Sequence, residues 1–169
     1  CYGQAGTGQA WHTPSELFSP HYGRGIAEWI LTRHVEMEAE EPICIYEVGP
    51  GNGTLARDII GGLQEAGVEQ VEYHGIEISP NLAKVQQSQL ADLIQARSYR
   101  PHLGSMLDWR KPVNGPVYVL GLEVLDNLPH DLVRFNGKGI LEQATILDGR
   151  LSWSMANDPL IVQLCGLLE

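Results

Sequence analysis

Cysteine is scarce in this chain, and basic residues are outnumbered. Cys1, Cys44 and Cys165 are spread over 169 residues with no C-x-x-C pair. An odd, scattered set supports no disulfide framework and fits a reducing compartment. Eleven lysines and arginines stand against 21 aspartates and glutamates, a formal net charge of −10. Binding along a phosphate backbone works by cationic side chains displacing counterions, so direct nucleic-acid binding is not expected. An acidic surface suits a basic partner, such as an arginine-bearing peptide. No apolar run approaches the roughly 20 residues of a membrane-spanning helix. The six histidines (His12, His21, His34, His74, His102, His130) show no H-E-x-x-H or other ligand spacing, so spacing lends a metal site little support. An initiator Met and a basic, serine-rich leader are also missing, and the chain reads as a processed product or as part of something longer.

What is present is enough for a core: 43% of the residues are hydrophobic, and the length suggests one domain. Four stretches are expected: a polar, glycine-rich lead over 1–10, a helical segment over 11–42, an α/β core over 43–131, and antiparallel hairpins with a terminal helix over 132–169. The acidic run Glu36 to Glu41 with Pro42 reads as a helix end and linker, because negative charge opposes the helix dipole there and proline stops the helix.

The most informative stretch is Ile43-Cys-Ile-Tyr-Glu47-Val-Gly49-Pro-Gly51-Asn-Gly53-Thr. An apolar strand with an acid near its end runs into glycines at alternate positions. Glycine can take positive φ and lets a ligand lie against the main chain, while a helix beginning near Gly53 offers free N–H groups. A dinucleotide fingerprint can be forced onto Gly51, Gly53 and Ala56. Read from Gly49, the pattern is E-x-G-x-G-x-G, which resembles the first motif of class I S-adenosylmethionine (SAM) methyltransferases. This second reading also gives Glu47 a task, since a carboxylate can hold a cationic amino-acid group and would repel a pyrophosphate.

In Val71-Glu-Tyr-His-Gly-Ile-Glu77-Ile-Ser79-Pro80, a β-rich run ends in Ser-Pro, with Ser79 as N-cap and Pro80 at the first helical position. Glu77 is thereby placed at the carboxyl end of a second strand, the edge of an open parallel sheet where ligands bind, and could accept ribose hydroxyls there. A solvent-exposed strand-end Glu is the plainer alternative. Further predictions are a short helix from Thr13 that Pro20, Gly23 and Gly25 weaken, a second from about Gly25 (Ile26, Trp29 and Ile30 on one face), one from Gly53 despite the cost of Gly61-Gly62, and one from Ser79 to near Ser98 carrying Leu82, Val85, Leu90, Leu93 and Ile94. A weaker strand is expected over Arg100 to Leu107. Asp108 then either accepts an adenine amino group or is an ordinary turn Asp. Pro116 to Leu125 reads as a central strand covered on both faces that delivers Glu123 to the ligand edge. Asn136-Gly137 and Asp148-Gly149 predict tight hairpin turns, and Asn157-Asp158-Pro159 caps a last helix.

Three segments together resemble a specific family. Tyr-Glu47-Val-Gly-Pro-Gly-Asn-Gly-Thr-Leu, Tyr-His-Gly-Ile-Glu77-Ile-Ser-Pro-Asn-Leu and Leu122-Glu123-Val-Leu-Asp126-Asn-Leu-Pro129 are similar to the motifs of the MidA family (mitochondrial dysfunction protein A). The upstream Thr13-Pro-Ser-Glu16 segment is similar to plant and algal members. The resemblance implies a Rossmann-like class I SAM-methyltransferase fold. Glu47, Gly49, Gly51, Gly53, Glu77 and Asp108 would bind SAM, and Glu123 and Asp126 would align an acceptor. Thr13 and Glu16 would cover the cofactor, although helix capping alone also accounts for both. The family's third motif reads roughly Asn-Glu-x-x-Asp-Ala-Leu-Pro, so Leu122 replaces an Asn and Asn127 an Ala. Leucine can neither donate nor accept a hydrogen bond.

The implied activity is methylation of a protein arginine in assembly of a mitochondrial complex, with a chloroplast setting as the alternative. About half of the family pattern is present, so the parallel sheet is expected to be incomplete, with an appended antiparallel hairpin region. An open sheet edge is normally covered, by a longer chain or a larger complex. A second expectation belongs to a different class: a non-catalytic, methyltransferase-like subunit of an organellar ribosome or respiratory complex.

Overall fold

The computed structural model describes residues 13–110 and 115–166. It divides into two compact units, one ending at Asp126 and one beginning at Asn127. The expected lead over 1–10 lies outside the described residues.

The first unit is built on four parallel strands, β1 (Ile43–Val48), β2 (Val71–Glu77), β3 (Tyr99–Leu103) and β4 (Val117–Leu120), in the order β3-β2-β1-β4. The chain steps from β1 outward to β3 and then returns to the other side of β1. That reversal opens a crevice beyond the carboxyl end of β1. Strand side chains alternate between faces. One face presents Ile43, Ile45, Val71, Tyr73, Tyr99 and Tyr118, which join Ile30, Leu55, Ala56, Ile59, Ile60, Leu63 and Leu90 from the helices in one buried cluster. The opposite face carries Cys44, Tyr46, Glu72, His74, Arg100 and His102, with the ring of Trp109 edge-on to Tyr46, His74 and His102.

The helices are α1 (Pro14–Leu17), α2 (His21–Glu36), α3 (Thr54–Glu65), α4 (Pro80–Gln89) and α5 (Ala91–Gln95). Helix α2 begins four residues before the expected Gly25, with Gly23 inside it. A Cβ on Gly23 would lie 2.3 Å from Asp58 Cβ of α3, and one on Gly62 3.0 Å from Ala27 Cβ. These helical glycines mark the close crossing of α2 and α3 rather than weak points. The buried face of α2 is Gly23, Ala27 and Ile30, while Trp29 is about half exposed; bulk is excluded where the two backbones meet.

The helix from Ser79 is broken at Leu90, whose 1% exposed side chain turns in to fill the space beside Gly53. Its buried residues are Ala83 and Gln86, one position round from the expected Leu82 and Val85. Strand β3 stops at Leu103, short of the expected Leu107, where Gly104 at φ 153° leads into a 3-10 turn over Met106–Asp108. Strand β4 spans four residues only, so Glu123 lies beyond its end and not on it.

The second unit is an antiparallel sheet of β5 (Val133–Phe135), β6 (Leu141–Leu147) and β7 (Arg150–Met155), followed by α6 (Pro159–Cys165). Asp148 (φ 49°) and Gly149 (φ 72°) form the expected two-residue turn. The other connection differs from expectation. It runs from Asn136 to Ile140 with Gly139, not Gly137, in the left-handed region, because Asn136 Oδ1 accepts from the amides of Lys138 and Ile140.

Candidate functional site

The chain leaves β1 through Gly49, Gly51 and Gly53 at φ 68°, 57° and 90°. All three are left-handed, so the alternate glycines are conformational requirements of the turn. They differ in surroundings. A Cβ on Gly53 would meet Leu90 Cδ1 at 2.7 Å, whereas one on Gly51 would meet nothing within 4 Å, leaving its backbone open to a ligand.

The turn is held from below by Gln86, which is fully buried. Its Nε2 donates to the Gly51 carbonyl at 2.7 Å, and its Oε1 accepts from the Tyr99 hydroxyl at 2.9 Å. That hydroxyl reaches Gln86 across Gly75, where a Cβ would lie 1.9 Å from it. A glycine in the middle of β2 is thus required by the Tyr99 side chain from the neighbouring strand. The sequence reading missed Gln86, Tyr99 and Gly75. The available signal was a polar side chain at a core position of α4, where an unpaired amide would be costly.

Two carboxylates occupy the strand ends. Glu47 is 3% exposed and accepts a 2.8 Å hydrogen bond from the Tyr73 hydroxyl. Burial pushes its carboxyl up to about 7; the Tyr73 bond opposes the rise and the Glu77 charge adds to it. Glu77 is 4% exposed and accepts from the Ser79 amide at 2.8 Å. Ser79 itself caps α4, so the strand end and the helix start are tied together.

Helix α1 meets the glycine turn. Glu16 Oε2 accepts from the Thr13 amide at 3.4 Å, one half of a capping box, while its Oε1 accepts from Asn52 Nδ2. Asn52 Oδ1 in turn accepts from the amide and hydroxyl of Thr54 at 3.0 and 2.8 Å. Glu16 therefore both caps its helix and contacts the turn. Thr13, Glu16, Tyr22, Glu47, Gly49, Gly51, Asn52, Leu122 and Glu123 line one cleft of about 120 Å³.

Of the residues expected at a site, Glu47, Gly49, Gly51 and Glu123 share this cleft. Gly53 stands behind it against Leu90, and Glu77 ends the adjacent strand. Asp108 lines a separate, more open depression with His102 and Trp109. Asp126 lies in a 3-10 turn over Leu125–Asn127 and lines neither cleft. Glu123 has φ 53°, a conformation uncommon outside glycine that tends to occur at functional sites. The fit to SAM is good on these features. A buried carboxylate matches a cationic amino-acid end, and an unobstructed left-handed Gly51 offers backbone for close approach.

Comparison with known proteins agrees. Residues 25–162 match the family described as "Putative S-adenosyl-L-methionine-dependent methyltransferase". The chain is 28% identical over 140 residues to the protein arginine methyltransferase NDUFAF7 homolog, mitochondrial, of Drosophila melanogaster, covering 73% of this chain and 32% of the fly protein. Among solved structures it is similar to a COG1565 superfamily member from Burkholderia thailandensis bound to S-adenosyl-homocysteine, with 26% identity, a TM-score of 0.62, and coverage of 94% of this chain and 40% of that one. A native structure of a Burkholderia thailandensis protein of the same superfamily gives 25% identity and a TM-score of 0.60. The chain thus spans about a third of the fly relative's length and 40% of the bacterial chains'. On these grounds it belongs to the MidA family of S-adenosyl-L-methionine-dependent methyltransferases, with S-adenosyl-L-methionine as cofactor.

Proposed function

We propose that the protein containing this chain transfers a methyl group from SAM to a nitrogen of a protein arginine, in a mitochondrial setting where respiratory assemblies are built. The arginine and the compartment rest on the name of the fly relative. The observation that carries the reading is that Glu47 and the open Gly51 backbone share a cleft with Glu123.

When bound, SAM supplies an already activated methyl group, so the residues contribute mainly position. Glu47 holds the cofactor's ammonium end, and Gly49 and Gly51 let it lie on the main chain. Glu77 accepts ribose hydroxyls from the end of β2. Asp108, in the 3-10 turn that follows β3, is assigned to the adenine side. Glu123, which lines the same cleft, is assigned to the acceptor side, where a carboxylate can align a guanidinium with paired hydrogen bonds and offset its charge. Asp126 is its expected helper on the acceptor side.

A second reading is supported by Leu122, which packs partly against the core and also lines the cleft. An apolar residue at this place cannot orient an acceptor, which favours a non-catalytic assembly subunit that retains the fold. Labelled SAM added to a mitochondrial extract lacking the protein separates the two. A band that gains label at arginine only on add-back of the wild type supports catalysis, whereas an unlabelled extract with stable co-purification in a large particle supports the subunit.

A further inference from the structure

On the sheet face opposite the buried helical core, Cys44 of β1 and Glu72 and His74 of β2 come together. Register pairs Cys44 with Glu72, and His74 follows two residues on, so all three side chains leave the same face. One ligand atom from each, the thiol sulfur, a carboxylate oxygen and an imidazole nitrogen, lies within 4.8 Å of the others. From the geometry we infer that these three residues form a zinc-binding site that staples β1 to β2, independent of the cofactor cleft.

Zinc takes thiolate, imidazole and carboxylate ligands at about 2.0–2.3 Å, which sets tetrahedral donor atoms roughly 3.3–3.8 Å apart. Side-chain rotation of about 1 Å or less brings this set to that spacing. The donor chemistry selects the metal: a thiolate with an imidazole disfavours magnesium and calcium, which prefer oxygen alone.

His74 and Glu72 are also held by partners of their own. His74 Nδ1 is 2.9 Å from His102 Nε2, and the two rings are stacked. With Nδ1 engaged there, Nε2 is the nitrogen that faces Glu72 Oε2, at 4.0 Å. Arg100 holds Glu72 through both oxygens, Oε1 accepting from Nη2 at 3.0 Å and Oε2 from Nη1 at 3.3 Å, so the more loosely held Oε2, which faces His74, is the one that exchanges the arginine for the metal. Tyr46 stacks on His74, ring centroids 4.5 Å apart. Partners of this kind orient ligands, and their loss typically lowers metal affinity about 10–100-fold. Cys44 lies 28 and 30 positions before Glu72 and His74 in the sequence, so no short motif could reveal the set.

Binding forms a zinc–sulfur bond and releases the Cys44 thiol proton to solvent. The test uses the purified protein, stripped with chelator and titrated with zinc alone and with cobalt(II) as a spectroscopic stand-in. One equivalent of zinc should bind and raise the thermal midpoint, and cobalt should give a thiolate-to-metal charge-transfer band. Cys44→Ser should remove the band and weaken zinc by roughly 100-fold or more, and His102→Ala should weaken it by about 10–100-fold. Absence of the charge-transfer band in the wild type would overturn the site whatever the variants do. Equal zinc affinity in wild type and Cys44→Ser would do the same, marking the binding as adventitious. SAM affinity is read in parallel with and without zinc and should not change, which keeps this test separate from that of the cofactor cleft.

Discussion

The Tyr73 hydroxyl donates to Glu47 across 2.8 Å, joining the third residue of β2 to the carboxyl end of β1 inside the helix-covered face of the sheet. The bond favours the carboxylate, yet burial and the Glu77 charge outweigh it and hold the Glu47 carboxyl up near 7. A carboxyl poised in this way takes on charge when a cation arrives beside it.

A pH dependence follows, with a definite sign. Because the folded value of about 7 lies above the ordinary 4.5, the native state binds the proton more tightly than the unfolded chain. The stabilisation is fully present below about pH 4.5 and is lost as pH rises through about 7, a change on the order of 3 kcal/mol. Glu47→Gln should flatten this part of the profile. Denaturant unfolding of both proteins from pH 4.5 to 8 measures the difference, and parallel profiles would refute it. Binding of SAM near pH 6 should also release a proton, seen as a heat that varies with the buffer's ionisation enthalpy.

Gln86 should matter to both stability and binding. Gln86→Leu leaves the Gly51 carbonyl and the Tyr99 hydroxyl without this partner, at a cost of about 1–3 kcal/mol. The glycine turn loses its anchor, so S-adenosyl-homocysteine affinity should fall even under conditions where the variant is fully folded. Tyr99→Phe removes only the outer bond and should cost less. Unfolding curves and calorimetry on the two variants check the order.

Gly75→Ala should be more damaging than its size suggests. The added methyl would sit 1.9 Å from the Tyr99 hydroxyl oxygen and 2.6 Å from the ring carbon that bears it, so the ring must move and its bond to Gln86 must break. The expected loss is about 1–3 kcal/mol. Tyr99→Leu in the same chain should recover part of it, and a double-mutant cycle reads the coupling.

Much of this arrangement was legible in the sequence. The alternate glycines at 49, 51 and 53, the strand-end acids and the Ser79-Pro80 helix start carry local chemistry that propensity and spacing express directly. Hidden were features set by what packs from elsewhere. Gly23 and Gly62 read as helix weaknesses until the α2–α3 crossing gives them a reason. The buried stripe of α4 was misplaced by one residue because Gln86, a polar side chain, occupies a core position on account of two partners distant in sequence. Asn136-Gly137 looked like a hairpin turn, but the Asn136 side chain organises a longer loop.

On the acceptor side, Glu123→Gln should reduce methyl transfer roughly 10–100-fold while leaving SAM affinity within about twofold, since the change weakens alignment of the guanidinium and not cofactor binding. Single-turnover rates with labelled SAM and an arginine-bearing protein substrate, set beside calorimetric affinities, separate the two quantities. A parallel loss of affinity would move Glu123 to the cofactor side.

The central claim is that the cleft at the end of β1 holds SAM, and calorimetric titration of the protein with S-adenosyl-homocysteine and with NAD tests it most directly. The wild type should bind the former and not the latter. Gly51→Val, which forces a β-branched residue to φ 57° and puts a side chain where the ligand meets the backbone, should abolish binding. Glu77→Ala should weaken it by about 1–3 kcal/mol. Undiminished S-adenosyl-homocysteine affinity in both variants would contradict the assignment of this cleft.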